Sequence, residues 1–102
     1  AVIEAAKKAG VQYFAYTSFL HLDRASLIAV APDHRETENL LNGAPFKVAL
    51  LRNGWYTENF EDLVRQAAAT GVLLGSAGDG RISSAARKDY AEAAAAVCGL
   101  AA

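Results

Sequence analysis

The sequence predicts an α/β fold, part of a doubly wound parallel sheet with helices flanking it. Three observations carry that prediction. A helix-like stretch ends at Gly10 and a β-rich run follows over 11–16. The same order of helix, glycine and apolar run recurs at Gly43 and 46–51. Each apolar run gives way at once to polar residues, as strands do when their carboxyl ends face a ligand crevice.

The elements follow in order. Ala1, Val2, Ala5, Ala6 and Ala9 recur at helical spacing, with Glu4, Lys7 and Lys8 between them. Gly10 suits the position after the helix end, where a left-handed conformation is needed. Residues 11–16 are rich in β-branched and aromatic side chains and short enough for a strand. Residues 17–32 lack a period and are expected to form a loop. Asp33 and Glu36 have the spacing of a capping box, opening a helix to about Asn42 that Gly43 stops. His34, Thr37 and Leu41 share one face of that helix.

Residues 46–51 are apolar apart from Lys47, as in a strand buried on both faces. Thr57 is the expected cap of a third helix. Its first turn is acidic (Glu58, Glu61, Asp62), which complements the helix dipole. Phe60, Leu63, Val64, Ala67 and Ala68 give it an apolar stripe, and Gly71 ends it. Residues 72–74 and 81–84 are expected as two short strands around a glycine-rich turn, with Asp79-Gly80 supplying positive φ. Asp89 and Glu92 form a second capping box, opening an alanine-rich helix that runs to Cys98.

Composition narrows the function classes. With 102 residues the chain suits one small domain. A net charge of −1 argues against nucleic-acid binding, which calls for a basic stripe. No apolar stretch approaches the ~20 residues of a membrane helix, so no membrane partner is expected. Cys98, the one cysteine, makes no internal disulfide, and with two histidines it supplies no metal-finger spacing. Cytoplasm is the default location, and homo-oligomerisation stays open. The chain has no methionine and opens as if within a helix, which suggests an internal piece of a longer protein.

Two polar segments are expected at strand ends: Tyr16-Thr17-Ser18 and Arg52-Asn53-Gly54-Trp55-Tyr56. Thr17 and Ser18 taken alone suit turn amides. The second cluster favours a ligand-facing role, because a loop that only caps the core needs no arginine and asparagine beside its aromatics. His34 suits either a surface or a ligand-facing role, the latter supported by the face it shares with Thr37 and Leu41. His21 is expected at the surface and Cys98 in the core. The stretch 75–80 does not open a helix, as a phosphate-binding loop must, so a tight turn is the better account. Arg81, Arg87 and Lys88 are expected in solvent, with one of them able to face an anionic cofactor.

Five runs together carry a family resemblance. They are Val-Ile-Glu-Ala-Ala-Lys-Lys-Ala-Gly-Val, Ala-Tyr-Thr-Ser, Asp-His-Arg-Glu-Thr-Glu, Leu-Leu-Arg-Asn-Gly-Trp-Tyr-Thr-Glu-Asn and the segment from Ala-Gly-Asp-Gly-Arg-Ile to Ala-Glu-Ala-Ala. In this order they resemble NmrA-like NAD(P)H:quinone oxidoreductases, atypical members of the short-chain dehydrogenase/reductase superfamily. The resemblance covers essentially the whole chain. It implies that residues 1–102 are the central to C-terminal half of an NAD(P)-binding Rossmann-like domain, without its N-terminal glycine-rich motif. It also implies NADP(H) as cofactor, NAD(H) being the other candidate, and a quinone as substrate.

On this resemblance Tyr16, Thr17, Ser18, Asn53 and Gly54 line the nicotinamide pocket. His34 hydrogen-bonds the nicotinamide ribose or assists protonation of the reduced acceptor, and Trp55 and Tyr56 offer flat faces to the quinone. Thr17–Ser18 and residues 53–56 are expected to converge on one wall of the coenzyme crevice. The tyrosine and lysine of classical superfamily members are missing: Val30 and His34 stand at their places, and the usual serine falls near Phe19. A quinone acceptor is consistent with that loss, since its reduction yields an aromatic hydroquinone. The alternative is an NmrA-like regulator that senses NADP without turnover.

Overall fold

A computed structural model describes residues 1–24 and 28–101, the last by its backbone alone; residues 25–27 of the expected loop lie outside the described residues. The chain forms two compact units, Ala1–Asn53 with the end of the chain from Ala94, and Gly54–Ala93.

The first unit begins with helix α1, Val2–Lys8. Its end forms as expected. Gly10, at φ +72°, lets its own N–H donate to the Lys7 carbonyl and the Val11 N–H donate to the Ala6 carbonyl, both at 3.2 Å. These are the two bonds of a Schellman motif. Strand β1 then runs Tyr13–Phe19 and pairs in parallel with β2, Lys47–Asn53. The register sets Tyr13 opposite Lys47 and Phe19 opposite Asn53. Thr17 and Ser18 therefore belong to the strand and not to a loop, because β2 extends the ladder past the point where the local pattern turns polar.

Helix α2, Ala31–Leu41, connects the strands. The expected capping box at Asp33 does not form. The helix starts earlier, its N-cap Val30 makes no side-chain bond, and Pro32 stands in the first turn, where a missing N–H is tolerated. Alternation along both strands sends Phe14, Tyr16 and Val48 to the side covered by α1 and α2. There they pack against buried Ile3, Leu41 and Phe46, with the rings of Phe14 and Phe46 stacked at 5.4 Å. On the opposite side, Gln12, Tyr13 and Lys47 share a cavity of about 420 Å³ with Val97 and Leu100. The last two belong to the final helix, α4, Arg87–Ala101.

In the second unit, β3 (Trp55–Tyr56) pairs in parallel with β4 (Ser84–Ala85). A 3₁₀ turn, Thr57–Phe60, leads into α3, Glu61–Thr70, which ends at Gly71 in the left-handed conformation (φ +72°) as expected. Three expectations are corrected here. The hairpin over 72–84 does not form: residues 72–83 are exposed and form no strand, and Ser84 pairs with Trp55 instead. A two-stranded hairpin with no apolar surface to cover is marginal in water. Positive φ falls on Gly78, not on Asp79 or Gly80. Thr57 caps nothing, because it lies inside the 3₁₀ turn while Phe60 holds the cap position of α3; its hydroxyl donates to that of Ser84 at 3.1 Å.

The second capping box is replaced as well. α4 begins two residues before Asp89, and the Glu58 carboxylate accepts the Arg87 N–H at 2.9 and 3.1 Å. Cys98 is exposed and so is not a core residue. The fold class stands: α/β, with parallel strands and flanking helices. No helix among the described residues is long and apolar enough to cross a membrane.

Candidate functional site

Parallel pairing brings two of the sequence-marked segments side by side in the first unit. Ser18 lies opposite Arg52 and Phe19 opposite Asn53. The Leu20 N–H donates to the Asn53 carbonyl at 2.9 Å, carrying the ladder one residue further. Neighbouring residues of a strand point to opposite faces, so the pocket candidates of β1 divide. Thr17 is exposed on one side, while Tyr16 and Ser18 turn to the α2 side.

On that side the Tyr16 hydroxyl meets His34 Nδ1 at 2.6 Å, with the two rings tilted by 52°. The strand supplies the phenol and the first turn of α2 the imidazole; both are half-buried. One helical turn beyond His34, Glu38 accepts a two-pronged bond from Arg52, with Nε at 3.0 Å and a terminal nitrogen at 2.7 Å. Only 10% of the Glu38 side chain is exposed, against 47% for Arg52. The Arg52 fork holds the Glu38 carboxyl below its ordinary value against the opposing effect of burial, and the nearby Ser18 hydroxyl and His34 act in the same direction. The Ser18 oxygen is nevertheless buried without a formed hydrogen bond, so its influence on Glu38 is one of proximity. In return the carboxylate raises Arg52 further above its already high value.

The second unit holds Gly54, Trp55 and Tyr56. The Gly54 N–H donates to the Tyr90 hydroxyl at 3.1 Å. Trp55 is 42% exposed, meets Phe60 edge-on at 6.3 Å, and lines an open concavity of about 510 Å³ with Phe60, Ala77, Gly80, Arg81 and Ile82. Tyr56 points the other way. Its ring meets Tyr90 at 5.4 Å, and the Arg87 guanidinium sits 5.2 Å from its centroid. Trp55 thus presents an open aromatic face, while Tyr56 is built into its surroundings. The Glu58 carboxyl is lowered chiefly by the Arg87 N–H it accepts.

Three contributors escape the sequence pattern, Glu38, Glu58 and Tyr90, while Arg52, expected to face a ligand, pairs with Glu38. Glu58 carries the one usable signal, an acidic residue at a helix start, but the helix it caps is α4 and not its own. Arg87 is exposed, as expected, and its guanidinium also lies over Tyr56. His21 is exposed, as expected, and holds φ +54°. Among the described residues no group of three or more His, Cys, Asp or Glu side chains could hold a metal ion.

No family model matches the chain. It is 52% identical over 96 residues to quinone oxidoreductase 2 of Escherichia coli strain K12, covering 94% of this chain and 33% of that protein. It is 49% identical over 49 residues to an uncharacterized protein of Haemophilus influenzae, covering 48% of this chain and 45% of that one. Two Escherichia coli crystal structures resemble the fold at 52% identity over 92% of this chain. One, of a new type of NADPH-dependent quinone oxidoreductase, gives a TM-score of 0.83 and is covered over 34% of its length. The other, of that oxidoreductase complexed with NADPH, gives 0.84 and is covered over 33%. The chain is homologous to this stretch of the Escherichia coli enzyme, and spans a third of its length.

Proposed function

We propose that the protein carrying this chain is an NADPH-dependent quinone reductase. In this reading residues 1–102 form the central to C-terminal half of an NAD(P)-binding Rossmann-like domain, and the protein works in the cytoplasm. The observation that carries the reading is the 52% identity, over nearly the whole chain, to an enzyme whose structure includes NADPH. The names of these relatives count against the NADP-sensing alternative.

The residues at the strand ends suit the cofactor. Thr17 offers an exposed hydroxyl, and His34 has a second ring nitrogen beside the one facing Tyr16, hydrogen-bonding groups of the kind that ribose and nicotinamide amide require. Glu38, which would repel a phosphate, is neutralised by Arg52. Tyr16, Thr17, Ser18, His34, Asn53 and Gly54 are the residues assigned to hold the cofactor. Ser18 and Gly54 act there through backbone, since the Ser18 oxygen is buried and glycine has no side chain. When bound, NADPH supplies a hydride, and a proton from solvent completes the hydroquinone. The chain's own contribution is orientation and exclusion of water. His34 serves as a hydrogen-bond donor at the reacting end, and Trp55, with Tyr56 behind it in sequence, provides the aromatic surface for the quinone.

Loss of NADPH absorbance in the presence of benzoquinone, followed with the full protein, tests the reading. Steady turnover is expected; tight NADPH binding without turnover would overturn it in favour of the sensor. Trp55→Ala should lower kcat/KM for the quinone about tenfold, the scale of a lost aromatic contact, and leave NADPH affinity unchanged. An equal fall in both would contradict the assignment of Trp55 to the quinone.

A further inference from the structure

We propose that Tyr16 is the positioning residue of His34, fixing which ring nitrogen carries the proton. The inference rests on the functional reading above for its effect on turnover, but not for its structural content.

The Tyr16 oxygen lies 2.6 Å from Nδ1, a short contact even for a hydroxyl donor. Two proton arrangements are conceivable across such a contact. In one, the phenol donates to an unprotonated Nδ1. In the other, Nδ1–H donates to the phenol oxygen, and the phenol proton then needs an acceptor of its own. A separation of 2.6 Å lies within the range of an O–H donor and below that of an N–H donor, so the geometry favours the first arrangement. A neutral imidazole carries one proton. With Nδ1 accepting, that proton sits on Nε2. His34 therefore presents Nε2–H, a donor suited to a carbonyl or hydroxyl oxygen.

Both partners are held for this task. The Tyr16 ring packs against the core of Ile3, Leu41 and Phe46, which anchors the hydroxyl on a paired strand. The acid that could compete for the imidazole is Glu38, one turn along the same helix, and its two oxygens are taken by the Arg52 fork. Glu38 thus bonds to Arg52 and makes no hydrogen bond to His34. A hydrogen bond to one ring nitrogen commonly sets a histidine's tautomer, and it explains a tyrosine whose hydroxyl faces the helix instead of the strand end.

The test uses the full protein and two variants. Nitrogen NMR through long-range couplings reports the tautomer of His34, with the resonance assigned by its absence in His34→Gln. Wild type should show an unprotonated Nδ1 and a protonated Nε2. Tyr16→Phe keeps the ring in the core and removes only the hydroxyl; the resonance should shift toward a mixture of tautomers. In the same variant kcat should fall about tenfold, and combining Tyr16→Phe with His34→Gln should lower it no further than His34→Gln alone. A wild-type resonance with Nδ1 protonated overturns the proposal. So does a folded Tyr16→Phe protein with the wild-type tautomer and kcat. If wild type lacks quinone turnover, the functional reading fails by itself, and the tautomer still decides the role of Tyr16.

Discussion

Glu38 and Arg52 share one fork but not one environment, and that difference sets what their loss costs. The carboxylate is nearly covered and the guanidinium half in water. Removing Arg52 strands a charge with little solvent to compensate it, whereas removing the charge of Glu38 leaves a cation that water can accept. Arg52→Ala should therefore lower the urea midpoint more than Glu38→Gln; equal effects would mean that burial of the carboxylate matters little. The pH dependence follows from the direction of the shift. The folded protein holds Glu38 below its ordinary value of 4.5. The pair's contribution is present in full above that value and is lost as pH falls through the lowered one. Between neutrality and acid, wild type should lose its advantage over Glu38→Gln, as parallel urea titrations would record.

At the level of elements, what is local in the chain is legible and what is remote is not. The stops of α1 at Gly10 and α3 at Gly71 follow from glycine's own conformational freedom, so residue identity suffices to find them. Gly10 makes a direct test: a Cβ there would meet nothing within 4 Å, so Gly10→Ala should cost about 1–2 kcal/mol through the left-handed backbone alone, measurable by denaturant titration. The starts of the helices are another matter. α4 is capped by Glu58, twenty-nine residues away in sequence, and α2 by no side chain at all. The strand expected over 11–16 runs instead over Tyr13–Phe19, shifted toward the carboxyl end at both limits, because only the register with β2 shows where it pairs. At the site the same rule holds. The polar types at Thr17 and Asn53 mark the strand ends from sequence, yet the bond from Tyr16 to His34 on α2 and the fork from Arg52 to Glu38 need the fold. The hairpin over 72–84 failed because composition alone names a turn but supplies no partner for its strands.

Taken whole, the described residues bury few apolar side chains: Ile3, Leu22, Ala31, Leu41 and Phe46. Leu74 and Leu100 remain 78% and 88% exposed, and Leu40, Val64 and Leu73 are exposed as well. Apolar surface left in water contributes nothing to stability and attracts other apolar surface. The 102-residue chain on its own should therefore enhance the fluorescence of anilinonaphthalene sulfonate and bind NADPH weakly. The intact protein should bind NADPH well and leave the dye dim. A dark, monomeric isolated chain with micromolar NADPH affinity would show that the small core suffices.

The parallel pairing of β1 with β2 has a kinetic corollary. Strands that run the same way cannot zip together from a shared turn; an entire helix must cross between them before the first rung closes. The search for that rung is slow, and a preformed α2 shortens it by drawing the strand ends together. Alanine substitutions on the Leu41 face of α2 should then retard refolding more than they hasten unfolding, a signature that the two arms of a chevron plot separate cleanly.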